Sequence, residues 1–251
     1  MSELAIIGGT GLDKIPNLEI LHREVSHTPF GEPSAPLTHG RLAGRDIVFL
    51  PRHGPAHSIP PHRVNYRANL WALQHVGVDT VLAVAAVGGI TERMAPGMIV
   101  IPDQIIDYTF GRDHTLYESD LTHITHIDFT YPYCESLRAQ MLEAGRHCGV
   151  NPIAGATYGA TQGPRLETAA EVLRMQRDGC DIVGMTGMPE ASLAREMNLC
   201  YATCAVVANW AAGKGEGVIQ MQEIERNLCS GMEQVKSLVA GLLALRGGAE
   251  T

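Results

Sequence analysis

Thr161–Glu196, TQGPRLETAAEVLRMQRDGCDIVGMTGMPEASLARE, reads as turn, helix, strand and helix in succession. Gly163-Pro164-Arg165 makes the opening turn and leads into a helix carrying Glu167. The short apolar run Cys180–Val183 predicts a strand that ends in Gly184-Met185-Thr186-Gly187. Pro189 and Glu190 then start a second helix, with Pro suited to the first helical position and Glu to the positive end of the dipole. A strand between two helices is the signature of an α/β layer. Hydroxyl, carboxylate and flexible backbone gather where that strand ends, a usual ligand-binding place in such folds.

The same alternation extends in both directions. Leu4–Ile7 predicts a buried strand running into Gly8-Gly9-Thr10-Gly11, where backbone amides can approach an anion and Thr10 adds a hydroxyl. That turn is open to three readings: an anion site, a dinucleotide turn, or plain structure. The dinucleotide fingerprint lacks its third glycine, since Lys14 stands there. Residues 26–40 read as loop or hairpin. Ile47–Leu50 is a strand ending in Pro51-Arg52-His53-Gly54, with a cation and an imidazole at its carboxyl end. Val64–Val76 predicts a helix closed by Gly77, and Thr80–Ala86 a strand apolar on both faces. Further strands are expected at Met98–Ile101, at 154–161 and at Cys200–Ala208, and helices at Glu135–His147 and over 220–246. The last helix carries an apolar stripe from Met221 and Ile224 to residue 242. These elements predict a single α/β domain over residues 1–251, with a central mixed, largely parallel sheet flanked by helices and no antiparallel-only region.

Composition narrows the function. The 251 residues are 45% hydrophobic and 18% charged, which suits a compact core. A formal charge of −8 without a Lys/Arg cluster argues against nucleic acid, and no apolar window or signal segment argues for a membrane, so a cytoplasmic protein is expected. The six cysteines form no Cys-x-x-Cys pair and are expected to be reduced. His53, His57 and His62 have helix-like spacing, but Pro55, Pro60 and Pro61 break any helix, and His114, His123, His126 and Asp128 are irregularly spaced within a long loop. Neither group predicts a metal. The loop, Tyr108–Tyr133, is expected to lend one or two polar side chains to a pocket.

Six ordered motifs carry a resemblance: IIGGTGL at 6–12, TPFG at 28–31, RHG at 52–54, VNYRANLWAL at 64–73, GPRLET at 163–168 and MTGMPEASLARE at 185–196. Over residues 4–243 the chain resembles the trimeric purine nucleoside phosphorylase and methylthioadenosine phosphorylase family. The resemblance implies a homotrimer that needs no cofactor, with inorganic phosphate as co-substrate attacking the anomeric carbon of a nucleoside. It implies that Thr10, Arg52, His53 and Thr186 hold phosphate and that Met185 lies against the sugar. It places Asn209, Trp210 and Ala211 at the base, with Asn209 as the donor to the departing purine. Met221, Ile224, His57 and, from a neighbouring subunit, His126 would line the sugar's 5′ end.

Two positions bear on the base. The methylthioadenosine branch carries Asp where Asn209 and Ala211 stand here, whereas 6-oxopurine members carry Glu where Glu167 stands. A carboxylate facing adenine N1 would lack a donor, at a cost of ~1–3 kcal/mol. Near Met221, ordinary 6-oxopurine members carry a His for the 5′-hydroxyl, while Met offers an apolar, polarisable wall. An oxopurine end and a methylthio end together describe 5′-methylthioinosine; inosine, guanosine and methylthioadenosine are the alternatives. The chain departs from the family at Ala85, where a Ser or Thr often assists phosphate, and at Leu166, where an aromatic usually packs on the base. A dinucleotide-dependent oxidoreductase, a non-catalytic nucleoside binder and a hydrolase are the readings from other classes.

Overall fold

The structure is a computed structural model that describes residues 4–12, 15, 17–118 and 124–247; Lys14 and His123 lie outside the described residues. The elements in order are β1 (Leu4–Gly8), β2 (Glu19–Glu24), β3 (Leu37–Leu42), β4 (Arg45–Pro51), α1 (Tyr66–His75), β5 (Thr80–Gly89), β6 (Ile99–Ile101), β7 (Gln104–Asp107), α2 (Glu135–His147), β8 (Ile153–Ala154), β9 (Thr157–Ala160), α3 (Ala169–Arg177), β10 (Ile182–Gly184), α4 (Gly187–Glu196), β11 (Cys200–Trp210) and α5 (Met221–Gly247).

All the strands belong to one mixed sheet. Its inner strands are apolar on both faces because both faces are covered. β1 sends Ala5 and Ile7 into one core and Leu4 and Ile6 into the other, and β4 divides Val48 and Leu50 from Ile47 and Phe49 in the same way. α1 and α4 pack on the first face, and α2 and α5 on the second. By length and composition α5 could cross a membrane, but its stripe from Leu228 to Leu243 is spent on the second core.

β5 creates the site. Along one edge it pairs with β11, in parallel, over its whole length. Along the other edge β1 pairs in parallel only as far as Ile7 with Ala83, and β10 takes over, antiparallel, at Val183 with Gly88. Among the described residues, 84–87 therefore have no strand partner on that edge, and the ends of β1, β4 and β10 converge on the gap. It is a switch point of the sheet, where carboxyl ends of strands open a crevice.

Several expectations need correction. An antiparallel region exists, formed by β2, β3 and β4. Cys134 and Cys200 form a disulfide, although all six thiols were expected to be reduced. The pair is distant in sequence, but the Cys134 amide donates to the Tyr201 carbonyl, which sets the start of α2 beside the start of β11. Glu167 does not lie within a helix: α3 begins after Thr168, whose hydroxyl caps Glu171 in a reciprocal capping box. Glu171 is the carboxylate of that helix start; hydrogen bonds from Arg165 and the Thr168 amide push its pKa down to about 2.

Candidate active site

The gap beside β5 is the floor of a cavity of about 390 Å³. Three turns wall one end. The turn after β1 supplies Gly9 and Thr10, the end of β4 supplies Arg52 and His53, and the start of α4 supplies Thr186. Gly9 is tightly constrained: a Cβ there would meet the Val84 carbonyl at 2.4 Å and Arg52 Nη1 at 3.0 Å. Only glycine lets the β1 turn lie this close to the guanidinium.

Arg52 and Glu190 form a buried pair, each 1% exposed at the side chain. Arg52 Nε donates to Glu190 Oε2 at 2.7 Å and Nη2 to Oε1 at 2.8 Å, while Nη1 donates to the unpaired Val84 carbonyl at 2.9 Å. Glu190 Oε1 also accepts from the Tyr201 hydroxyl at 2.8 Å. Glu190 was expected only to complement a helix dipole; it is instead the fixed counterion of Arg52. Burial opposes the charge on Arg52, but the Glu190 carboxylate outweighs it and holds the guanidinium protonated. Burial, then the Glu190 charge, keeps the Tyr201 hydroxyl protonated.

His53 is poised differently. Its Nδ1 lies 2.8 Å from the Ile59 carbonyl, and a carbonyl can only accept, so Nδ1 carries the proton and Nε2 presents a lone pair. Burial, then the Arg52 charge, pushes its pKa down to about 4. At neutral pH His53 is an uncharged acceptor. The Thr10 hydroxyl stands 3.4 Å from His57 Nε2, and the His53 and His57 rings lie 4.7 Å apart. Thr186 is the N-cap residue of α4, yet its hydroxyl makes no capping bond. Met188 is non-helical, so regular helix begins at Pro189.

Glu167 and Asn209 line the far end. Thr161 donates its hydroxyl to Glu167 Oε1 at 2.6 Å, which orients the carboxylate and leaves Oε2 unengaged by that bond. Asn209 follows a bulge in β11, where the register against β5 shifts between Val207 and Asn209. Such an irregularity re-aims a side chain, and Asn227 of α5 braces it by donating to the Ala208 carbonyl at 2.8 Å. One Asn209 amide proton goes to the Trp210 carbonyl at 2.7 Å, and the second is left to donate. His57, Met185, Ala211, Met221 and Ile224 also line the cavity, as do Ala85 and Leu166. Gly163, at φ +61°, lies against Met185, whose sulfur a Cβ would meet at 2.5 Å. Met221, although it lines the cavity, is 62% exposed.

Trp210 contributes its carbonyl to Asn209 but no lining surface, and His126, expected from a neighbouring subunit, is exposed away from this chain's own cavity.

Arg112 was not singled out by sequence, although its loop was expected to lend polar groups. Its guanidinium donates to the carbonyls of Thr161, Gln162, Met185 and Met188, at 3.1, 2.8, 2.9 and 2.6 Å respectively. It thereby ties together the two segments that carry Glu167 and Thr186. No local pattern marks such a residue, because its partners, four backbone oxygens with the Gln162 side-chain oxygen and the Tyr66 hydroxyl, all lie in distant segments.

Residues 3–244 match the family model described as the phosphorylase superfamily. The chain belongs to the phosphorylase superfamily. This phosphorylase is 52% identical, over 97% of its length and 99% of the relative's, to the probable S-methyl-5′-thioinosine phosphorylase of Pseudomonas syringae pv. tomato. It is 41% identical, over 98% of its length and 93% of the relative's, to the 6-oxopurine nucleoside phosphorylase of Pyrococcus furiosus. Among solved structures, a methylthioadenosine phosphorylase from Schistosoma mansoni in complex with adenine superimposes on the phosphorylase with a TM-score of 0.93, at 33% identity, covering 99% of this chain and 93% of that one.

Proposed function

We propose that this chain is a purine nucleoside phosphorylase that converts S-methyl-5′-thioinosine and phosphate to hypoxanthine and 5-methylthioribose 1-phosphate. One observation carries the reading. A single cavity holds Thr10, Arg52 and Thr186 at one end, Glu167 and Asn209 at the other, and Met221 and Ile224 beside them. Those ends suit an anion and an oxopurine, and the apolar pair suits a thioether.

In this scheme Arg52, Thr10 and Thr186 orient phosphate for attack at the anomeric carbon, a positioning effect on a weak nucleophile. His53 contributes as an acceptor: its Nε2 lone pair takes the hydroxyl proton of a monohydrogen phosphate as a hydrogen bond, leaving the anionic oxygens to the donors. The glycosidic bond breaks through an oxocarbenium-like sugar beside Met185, and its electron pair goes to the purine. Negative charge builds on the leaving base, where the second Asn209 amide proton meets N7, so the contact strengthens in the transition state. Glu167 accepts from protonated N1, which hypoxanthine has and adenine lacks. No cofactor takes part, and a cytoplasmic homotrimer in which a neighbour's His126 closes the 5′ end belongs to the same proposal.

A second reading, a general 6-oxopurine nucleoside phosphorylase, is favoured by the exposure of Met221, which leaves the wall at the 5′ end open in one chain. A panel of methylthioinosine, methylthioadenosine, inosine and guanosine, with and without phosphate, separates the readings. Methylthioinosine should be the best substrate and release base only with phosphate. If methylthioadenosine is best, the pairing of Glu167 with Asn209 has been misread; if inosine is best, Met221 has. Base release without phosphate would make the protein a hydrolase.

A further inference from the structure

Away from the cavity, β2 and β3 form an edge hairpin in which His22 and His39 are directly opposed across the strands. Their rings stack with centroids 4.3 Å apart and planes 8° from parallel. Glu24, two residues beyond His22 and so on the same strand face, brings Oε2 to 3.3 Å from His39 Nε2. Among the described residues, His22, Glu24 and His39 are the one group of three metal-ligand side chains whose donor atoms all lie within 4.8 Å of one another. None of them lines the cavity.

We infer that His22, Glu24 and His39 form a structural site for a borderline-soft divalent cation such as zinc. Three observations bear on it independently. The spacing is the first: zinc bonds of ~2.0–2.2 Å place neighbouring tetrahedral donors roughly 3.3–3.5 Å apart. That separation is already present between His39 Nε2 and Glu24 Oε2, while the exposed His22 ring has to turn out of its stack on His39 to aim its lone pair at the same ion. The second is the condition of His39, whose Nε2 is shut off from solvent and faces the Glu24 carboxylate at 3.3 Å without a well-formed hydrogen bond. An imidazole nitrogen and a carboxylate oxygen so placed are both zinc-ligand types. The third is access, since His22 is exposed and leaves a solvent-facing position for a water ligand.

Two imidazoles and one carboxylate select zinc, cobalt or nickel over magnesium or calcium, which prefer all-oxygen shells. Because the donors come from two strands, the ion would bind the paired hairpin and not the unfolded chain, and would stabilise the fold by mass action. It would clamp an edge strand whose own side chains are largely exposed.

The test uses the full chain after chelator treatment. Calorimetric titration with Zn2+ should give one saturable ion per chain, Co2+ should develop visible ligand-field absorption, and Zn2+ should raise the melting temperature where Mg2+ does not. His22→Ala and His39→Ala should each weaken Zn2+ binding roughly tenfold or more, and the double variant should lose both it and the melting shift. Circular dichroism on the same variants checks folding, and the exposed His22→Ala alone suffices if His39→Ala unfolds. Absence of saturable Zn2+ binding in the wild type, or binding unchanged in His22→Ala and in the double variant, overturns the assignment.

Discussion

Replacing Glu190 by Met removes the counterion of a guanidinium whose side chain is 1% exposed. Two charge-assisted hydrogen bonds are lost from Arg52, and the Tyr201 hydroxyl loses its acceptor. Removing one partner of a buried pair costs about 3–5 kcal/mol, because the other charge stays desolvated and unpaired. At ~2–4 °C per kcal/mol for a chain of this size, the melting temperature should fall by about 6–20 °C. Removing both partners is different in kind. Arg52→Met combined with Glu190→Met leaves no orphan charge, and well-packed apolar replacements of buried pairs are often neutral or stabilising. The double variant should therefore be more stable than the Glu190→Met single variant. Denaturant unfolding of the four proteins in the cycle gives the coupling directly. On the proposed reaction, the milder Glu190→Gln should raise the KM for phosphate more than the KM for nucleoside, since it misplaces Arg52 alone. Additive unfolding energies, or a Glu190→Met variant within about 1 kcal/mol of wild type, would refute the reasoning.

Further predictions rest on the same geometry. Asn209→Ala should lower kcat by ~10²–10³, and Asn209→Asp should move preference from 6-oxopurine towards 6-aminopurine, as read by the ratio of kcat/KM for methylthioinosine and methylthioadenosine. Met221→His should favour inosine over methylthioinosine by roughly tenfold to a hundredfold, the value of supplying or removing one partner for a hydroxyl. His53 gives a pH signature. Its pKa of about 4 lies below the ordinary 6.5, so between those values the unfolded chain binds a proton that the folded chain does not. This contribution is complete above pH 6.5 and declines as pH falls towards 4, by up to ~1.4 kcal/mol per pH unit. Urea titrations across this window should show a slope that flattens in His53→Asn.

The parts of the fold that were legible in sequence are those with strong local signals. β5 and β11 are long apolar runs, and α2 and α5 carry clear helical stripes. β2, with sequence EILHRE, was not legible because all but its last residue are exposed and no face alternates; only its partner β3 makes it a strand. Glu171 could have been assigned to the helix start from the Thr168-x-x-Glu171 spacing. The Arg52–Glu190 pair spans 138 residues and the Cys134–Cys200 bridge spans 66, and neither distance leaves a local trace. Thr10, Arg52, His53, Thr186 and Asn209 could be picked out because they lie where strands end, next to glycine, proline or a hydroxyl, whereas Met221 and Ile224 lie on α5. What sequence could not supply was their electrical state. It could show a histidine after Arg52, but not that the Ile59 carbonyl would fix its proton.

Arg112 has a consequence for anyone who would redesign the protein. Its single guanidinium is shared between 161–162 and 185–188, so the two segments hold one cation in common. A substitution that shifts one backbone will pull the cation away from the other, and its effect will depend on which residues already stand there. Mutations at Glu167's end and at Thr186's end should therefore show strong epistasis, in contrast to the near-additivity usual for sites that share no partner. Libraries that vary the two segments together will reach specificities that stepwise selection, one segment at a time, would discard.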